Sequence, residues 1–149
     1  MDADQDLRGV LTAARRIARA FDIQSRRIDR EIGLTIPQYI VLACLGELGE
    51  VTSRALAVAA DLSPPTVVGI LDKLEAKGLI ERYRSARDRR IVHARLTRRG
   101  RAALAAAPSP LGGSFRDRYM RLDAAERAAL VSALERLGAL LRDAETDGA

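Results

Sequence analysis

The chain has 149 residues, of which 48% are hydrophobic and 3% aromatic, enough apolar material for one folded, alanine- and leucine-rich helical domain and too much for intrinsic disorder. One cysteine excludes a disulfide within the chain, and one histidine argues against a metal cluster. The net charge of +5 is uneven, because residues 81–101 carry nine arginines against two acids, a local +7, and the remainder sums to −2.

Several functional classes are disfavoured by what the sequence lacks. No apolar run approaches the roughly 18–20 residues of a membrane span, and the acidic N-terminus has no apolar signal region. We therefore expect a cytoplasmic protein. A glycine-rich phosphate loop, a Ser–His–Asp set and a metal-ligand cluster are also missing, so we expect no enzyme, no metal and no cofactor.

Residues 6–32 predict one long helix with a narrow apolar seam. Its apolar or small positions alternate in spacings of four and three, which is a heptad pattern typical of packing against a partner helix. The seam consists of Leu7, Leu11, Ala14, Ala18, Phe21, Ser25, Ile28 and Ile32. Gly33 is the expected stop.

Two shorter helices follow. Thr35 or Ile36 caps the first, and Gly46 and Gly49 are expected to end it. It contains Cys44, which we interpret as a small buried hydrophobe, although a redox-sensing thiol is the alternative. The second helix starts at Val51-Thr52-Ser53 and runs through Ala60, with Arg54 projecting outward in its first turn.

A three-residue turn, 61–63, then leads into a helix over 63–77, the spacing of a helix-turn-helix. Ser63 is the expected cap and Lys77-Gly78 the expected end. The predicted buried stripe is Val67, Ile70, Leu71 and Leu74, and the predicted outer face carries Pro65, Thr66, Gly69 and Lys73. A glycine in mid-helix indicates either close approach to a large partner such as DNA or relief of a clash between helices, and both interpretations stay open.

Residues 79–84 and 91–96 predict a β-hairpin whose connection is rich in arginine. In the second strand Val92, Ala94 and Leu96 should face inward, and His93 should be structural. Asp88 lies two residues before Arg90 and can fix its guanidinium by a bidentate pair, which suits insertion into a narrow minor groove. The basic segment is therefore interpreted as a polyanion-binding patch, with an ordinary solvated loop as the alternative.

The C-terminal third is predicted to be helical. Thr97 caps a helix over 98–107 that Pro108-Ser109-Pro110 breaks, and the conformation of 108–114 stays open. A helical period resumes at Phe115, Tyr119 and Leu122. Asp123 and Glu126 form a capping box for a last helix, which has a stripe of Leu130, Leu134, Leu137 and Leu141.

The segment 71–100 carries a resemblance to the MarR (multiple antibiotic resistance regulator) family of bacterial transcription factors. Its markers are the Leu-x-x-x-Gly-Leu-Ile-x-Arg turn, Asp88-Arg89-Arg90 and the close at Leu96-Thr97-x-x-Gly100. The resemblance implies a mainly α fold with a small β-hairpin (α+β) as a single MarR-type domain over 1–149. Within it, a winged helix-turn-helix over 35–100 has its recognition helix at 63–77 and its wing at 79–96, and 6–32 and 110–145 are dimerisation helices.

The same resemblance implies a sequence-specific, ligand-responsive repressor that binds a palindromic operator in double-stranded DNA as a homodimer. The implied DNA-binding residues are Arg54, Ser63, Pro65, Thr66, Gly69, Lys73, Arg84, Arg87, Asp88, Arg89 and Arg90, and Arg95 is a further expected phosphate contact. The implied binding site for a phenolic or other anionic effector would be lined by Arg15, Arg16 and Tyr39. Val68 and Gly69 depart from the family, where polar or basic residues are frequent, so direct base hydrogen bonding from this helix should be thin.

Two alternatives remain at this point. One is a repressor triggered by oxidation of Cys44, and the other is a winged-helix protein-interaction module without DNA binding. The arginine-dense wing favours DNA over the second alternative.

Overall fold

The computed structural model describes residues 2–147, with side chains described through residue 143. The described elements follow one another as α1 (Ala3–Ile32), α2 (Ile36–Leu48), β1 (Val51–Thr52), α3 (Ser53–Ala60), α4 (Pro64–Ala76), β2 (Ile80–Arg84), β3 (Val92–Leu96), α5 (Arg98–Ala106), α6 (Phe115–Met120) and α7 (Ala124–Asp147). The chain forms two compact units, one through Pro110 and one from Leu111 onward. The fold is mainly helical with a small antiparallel sheet, as predicted.

The sheet has the order β1-β3-β2 and is antiparallel throughout. β2 and β3 form the predicted hairpin, each one residue shorter than expected, with Ile80 opposite Leu96 and Arg84 opposite Val92. β1 was not predicted, because two residues are too few to show an alternating pattern. Val51 of β1 pairs with Ala94 of β3, so the start of α3 is fixed to the hairpin.

One hydrophobic core joins the first five helices to the sheet. Its fully buried members come from α1, α2, α3, α4, β2 and β3, together with the linker residue Leu34. The predicted stripe of α4 lies within it, as Val67, Leu71 and Leu74 are 0% exposed. The shared core therefore fixes the position of α4 relative to the hairpin.

Most helix ends follow the chemistry expected from the sequence. Gly33 ends α1 in the left-handed region at φ 67°, and Thr35 forms a capping box with the buried Gln38. Thr52 caps α3 through the N–H of Ala55 at 3.1 Å. The turn into α4 passes through Asp61 at φ 52°, and Gly78 at φ 72° follows α4.

Two predicted helix ends are wrong. Gly49 caps α2 as predicted, but Gly46 lies inside this helix, which continues to Leu48. An added Cβ at Gly46 would lie 2.6 Å from Cδ2 of Leu104, so this glycine allows α5 to pack closely. α5 ends at Ala106, one residue before the predicted end, and Ala107 adopts an extended conformation ahead of Pro108.

The α1 seam and the α7 stripe are largely exposed. On α1, Leu7 is 67% exposed and Leu11 60%, whereas Ile28 is fully buried near the C-terminal end. On α7, Leu134 is 53% exposed and Leu141 60%. The predicted capping box of α7 is present, with Glu126 N donating to Asp123 Oδ1 at 2.8 Å and Asp123 N donating to Glu126 Oε2 at 2.9 Å.

Residues 108–114 form no described helix or strand; a turn closes them, in which the N–H of Phe115 donates to the carbonyl of Gly112 at 3.1 Å. Among the described residues, no single helix has the length and apolar character to cross a membrane. Two bent pairs, α1 with α2 (68°) and α3 with α4 (108°), have that length and apolar composition when the two helices are taken together.

Candidate nucleic-acid interface

The N-terminus of α4 is closed by its own cap. Ser63 Oγ accepts from the N–H of Thr66 at 3.4 Å and lies 2.7 Å from Thr66 Oγ1, so the two hydroxyls bond to each other. The N–H of Val67 donates to the Ser63 carbonyl at 3.1 Å. Pro64 and Pro65 fill the first two positions, as predicted, and have no N–H to donate.

The outward face of α4 is exposed where the sequence predicted it. Pro65, Thr66, Gly69 and Lys73 are all exposed, and Val68 beside them is 45% exposed. A Cβ built on Gly69 would meet no described heavy atom within 4 Å. Relief of a clash within this chain therefore does not explain Gly69, and the face is open to a large partner.

The hairpin tip holds Arg90 in a fixed orientation. Asp88 Oδ1 accepts from the N–H of Arg90 at 3.0 Å and from its Nε at 3.2 Å, and Asp88 Oδ2 accepts from Nη2 at 3.3 Å. These bonds from the Arg90 side chain and backbone lower the pKa of Asp88 below its ordinary value. The Arg90 side chain is 93% exposed, so the predicted pair presents an ordered guanidinium at the surface.

Local hydrogen bonds shape the rest of the tip. Ser85 Oγ accepts from the N–H of Arg87 at 3.2 Å and of Asp88 at 3.4 Å, and the N–H of Ile91 donates to the Asp88 carbonyl at 3.0 Å. Arg84 Nη1 donates to the Arg89 carbonyl at 2.7 Å, which braces the loop from the strand. Arg87 and Arg89 are both exposed on this braced loop.

Arg54 and Arg90 lie on one open groove. Its lining residues are Thr52, Ser53, Arg54, Arg90, Ile91 and Val92, so the first turn of α3 and the part of the wing tip next to β3 share a surface. β1 produces this arrangement because it pairs the residues before α3 with β3. The structure thus brings together two predicted DNA contacts that are 36 positions apart in sequence.

Arg82 ties the hairpin to α4. Its Nη2 donates to Asp72 Oδ1 at 2.6 Å and to Glu75 Oε1 at 2.9 Å, and its backbone N–H donates to Glu75 Oε2 at 3.0 Å. These bonds raise the pKa of Arg82 and lower that of Glu75. This link was not predicted from the sequence, although two acids three positions apart on one helix face are a usable signal for an arginine partner.

Arg95, which the sequence predicted to contact phosphate, is paired with two carboxylates in the structure. Its Nε donates to Glu81 Oε1 at 2.5 Å, its Nη1 donates to Glu50 Oε1 at 3.2 Å, and its guanidinium lies 5.0 Å from the centre of the Tyr83 ring. The Tyr83 ring stacks on His93 at 5.4 Å. This cluster covers one face of the sheet, which agrees with a structural role for His93 and moves the basic surface toward the tip.

The three candidate effector residues do not share one depression. Arg15 and Arg16 line a shallow one on α1 together with Thr12, Ala18 and Arg19. Tyr39 is half-buried on α2, where it packs against the core, and it is not among the described residues of that lining. The arginine-rich surface of α1 remains the candidate for an anionic ligand.

Cys44 lies partly buried in α2. Burial raises the pKa of its thiol, and the carboxylate of Glu47 raises it further. A raised pKa lowers the fraction of reactive thiolate at neutral pH. This environment suits the packing interpretation of Cys44.

Comparisons with known proteins agree with the geometry. The model of the MarR family matches residues 34–92. A putative transcriptional regulatory protein for the hcr operon of Thauera aromatica is 35% identical over 127 residues, which cover 85% of this chain and 75% of that protein. An HTH-type transcriptional repressor of Mycobacterium tuberculosis is 32% identical over 107 residues, 72% of this chain and 77% of its own length.

A solved structure is also similar in fold. The crystal structure of a MepR-like protein complexed with pseudoligands superimposes with a TM-score of 0.72 at 26% identity. The match covers 89% of this chain and 94% of that one.

Proposed function

Because this chain belongs to the MarR family of DNA-binding transcriptional regulators, we propose that it is a repressor that binds a palindromic operator as a homodimer. Two copies would place their α4 helices in successive major grooves, about 34–36 Å apart, so a two-fold symmetric protein selects a two-fold symmetric site. The wing of each copy would enter the neighbouring minor groove.

The homodimer is supported by apolar surface that the described chain leaves exposed. Leu7 and Leu11 follow the heptad seam of α1, and Leu134 and Leu141 follow the stripe of α7. A row of leucines at such exposure is costly in water, since burying each contributes about 1.5–3 kcal/mol. A second copy of the chain has the same rows of leucines, so a symmetric homodimer would bury them on both copies.

DNA contact is supported most directly by the Asp88–Arg90 pair at the wing tip. The guanidinium is held by two bonds to the carboxylate of Asp88, and the Arg90 side chain remains 93% exposed. Ordering a long, exposed side chain costs conformational entropy, which is reasonable if the side chain binds another molecule. A narrow minor groove has an enhanced negative potential that attracts such an arginine. Arg54 on the shared groove, and Arg84, Arg87 and Arg89, would contact phosphates.

The test is Arg90→Ala in an operator-binding titration at physiological salt. We expect operator affinity to fall by roughly ten- to a hundredfold, the size of a well-made base contact, with the oligomeric state unchanged. Unchanged affinity would remove Arg90 from the interface.

Arg26→Ala is the matched control. Arg26 forms an exposed pair with Asp22 at 2.8 Å, 76% and 62% exposed, but on α1 and away from the wing. The Arg26→Ala variant loses the same charge and the same type of pair as Arg90→Ala, but outside the proposed interface. Exposed pairs contribute little to stability, so its operator affinity should stay within about twofold of the wild type.

We further propose that a small phenolic or other anionic effector releases the operator by binding the α1 depression. The support is its lining by Arg15, Arg16 and Arg19, and the capture of pseudoligands by the similar MepR-like protein. An effector shifts the protein only through a difference in affinity between its two states. Replacing Arg15 and Arg16 by Ala should therefore weaken both effector binding, measured by calorimetry, and operator release.

The two alternative functions have less support. A redox trigger at Cys44 is disfavoured by the partial burial and raised pKa of the thiol. A protein-interaction module does not account for an ordered, exposed arginine at a basic wing tip, and its binding would depend little on salt.

A further inference from the structure

The N-terminal end of α4 has no backbone donors available for a phosphate. Pro64 and Pro65 lack an N–H, and the next two N–H groups already donate to the Oγ and the carbonyl of Ser63. Helix N-termini usually bind anions through these groups. The tip of α4 must therefore contact its ligand in another way.

Most polar side chains of α4 already form hydrogen bonds within the chain. Ser63 and Thr66 bond to each other, and Asp72 and Glu75 both bond to Arg82. Lys77, at the end of the helix, donates to the carbonyl of Gly33. Lys73 makes no hydrogen bond or ion pair with another described residue, and it lies two turns from the tip.

What remains on the outward side of the first two turns is apolar. Pro65 is exposed and Val68, three positions later, is 45% exposed, so the two side chains are neighbours on the helix surface. Gly69 beside them leaves open space. We call Pro65 and Val68 the apolar patch.

We propose that the apolar patch reads thymine by van der Waals contact with its C5-methyl group. This rests on the proposed function, in which α4 lies in the major groove. The thymine methyl is the one apolar substituent that base pairs display there, and the other groups used for recognition are hydrogen-bond donors and acceptors. The charge nearby on the same helix fits a DNA partner, because Lys73 is exposed farther along α4 and can hold a phosphate.

The consequence is a half-site rich in thymine at the positions that face α4. Discrimination comes from burying methyl groups, so it persists at high salt, whereas the phosphate contacts weaken. Specificity and affinity then depend on different residues, the patch and the arginines.

The experiment starts from duplexes selected by the wild-type protein from a random pool. The best duplex is made with thymine and, in a second version, with deoxyuridine at every thymine position, which removes only the methyl groups. Fluorescence anisotropy then gives the ratio of the two affinities. We expect the thymine duplex to bind about fourfold more tightly per contacted methyl group, and about tenfold or more over two half-sites.

Val68→Ala and Val58→Ala separate contact from DNA shape. Val58 is 81% exposed on α3 and outside the patch, so Val58→Ala makes the same chemical change elsewhere. We expect Val68→Ala to bring the ratio toward one and Val58→Ala to retain it.

A wild-type ratio near one overturns the inference while the proposed function stands. A ratio that persists in Val68→Ala also overturns it, because the methyl groups then act through the shape of the DNA. Failure to select any duplex above random DNA overturns the proposed function and this inference with it.

Discussion

At the scale of single residues, several arginines of the wing are each oriented or neutralised by a carboxylate partner, and some of these partners are close in sequence while others are distant. Asp88 and Arg90 are two positions apart, so their pairing could be predicted from the sequence alone. Arg82 and Arg95 find carboxylates on other elements, which requires the register of the hairpin and the position of α4. The count of arginines in the sequence therefore does not show that Arg82 and Arg95 are neutralised by carboxylates of the same chain.

Asp88→Asn should weaken operator binding even though it removes a negative charge beside DNA. The amide cannot hold the Arg90 fork by two charge-assisted bonds, so the arginine loses its fixed orientation. The measurement is an operator titration in parallel with Asp61→Asn, which removes the same charge from the turn before α4, and asparagine tolerates its φ of 52°. Tighter binding by both variants would contradict the orienting role.

The pH dependence follows from the lowered pKa of Asp88. A carboxyl with a lowered pKa keeps its pair above the ordinary value of about 4 and loses it only as the pH falls through the lowered value. Between pH 5 and 8 the Asp88–Arg90 pair should therefore contribute no pH dependence to operator binding.

At the scale of elements, α4 was predicted well because several independent signals coincide. The Ser63 cap, the two prolines, the buried stripe and Gly78 all mark the same boundaries. β1 was missed because a two-residue strand is created by its partner β3 and has no pattern of its own. Gly46 was misread because a glycine that admits a neighbouring helix resembles a glycine that ends one.

Gly69→Ala distinguishes stability from function in α4. No described atom blocks the new methyl group, so the helix should gain about 1 kcal/mol in free energy of unfolding, or about 3 °C in Tm. Operator affinity should fall, because the methyl group occupies the space that lets DNA approach. Thermal unfolding and anisotropy measure the two effects, and equal or tighter DNA binding would contradict the close-approach interpretation.

At the scale of the whole molecule, the exposed seam of α1 and the stripe of α7 determine the proposed assembly. Heptad spacing was legible in the sequence, but exposure was not, because Ile28 of the same seam is buried in the core. The structure shows that the N-terminal part of the seam is exposed, and this is the part that a second copy would cover in the proposed homodimer.

Leu11→Glu combined with Leu134→Glu should shift the protein from dimer to monomer. Each change places a charge on a surface that the dimer would bury, so the dimer dissociation constant should rise roughly a hundredfold or more. Sedimentation equilibrium measures the shift, and Val58→Glu, an equally drastic change at an exposed valine of α3, should leave it unchanged. A wild-type protein that sediments as a monomer would contradict the assembly itself.

The bonds from Arg82 to Asp72 and Glu75 also constrain how the protein can switch. With α4 and the hairpin joined at two carboxylates, and Lys77 joining the end of α4 to Gly33 at the end of α1, bending the wing against the helix would break several contacts at once. We expect α4 and the hairpin to move together as one rigid unit, with the end of α1 attached to it through Ile28 and the Lys77–Gly33 bond. Release from DNA would then be all-or-none for helix and wing together, and a partly detached state would be rare.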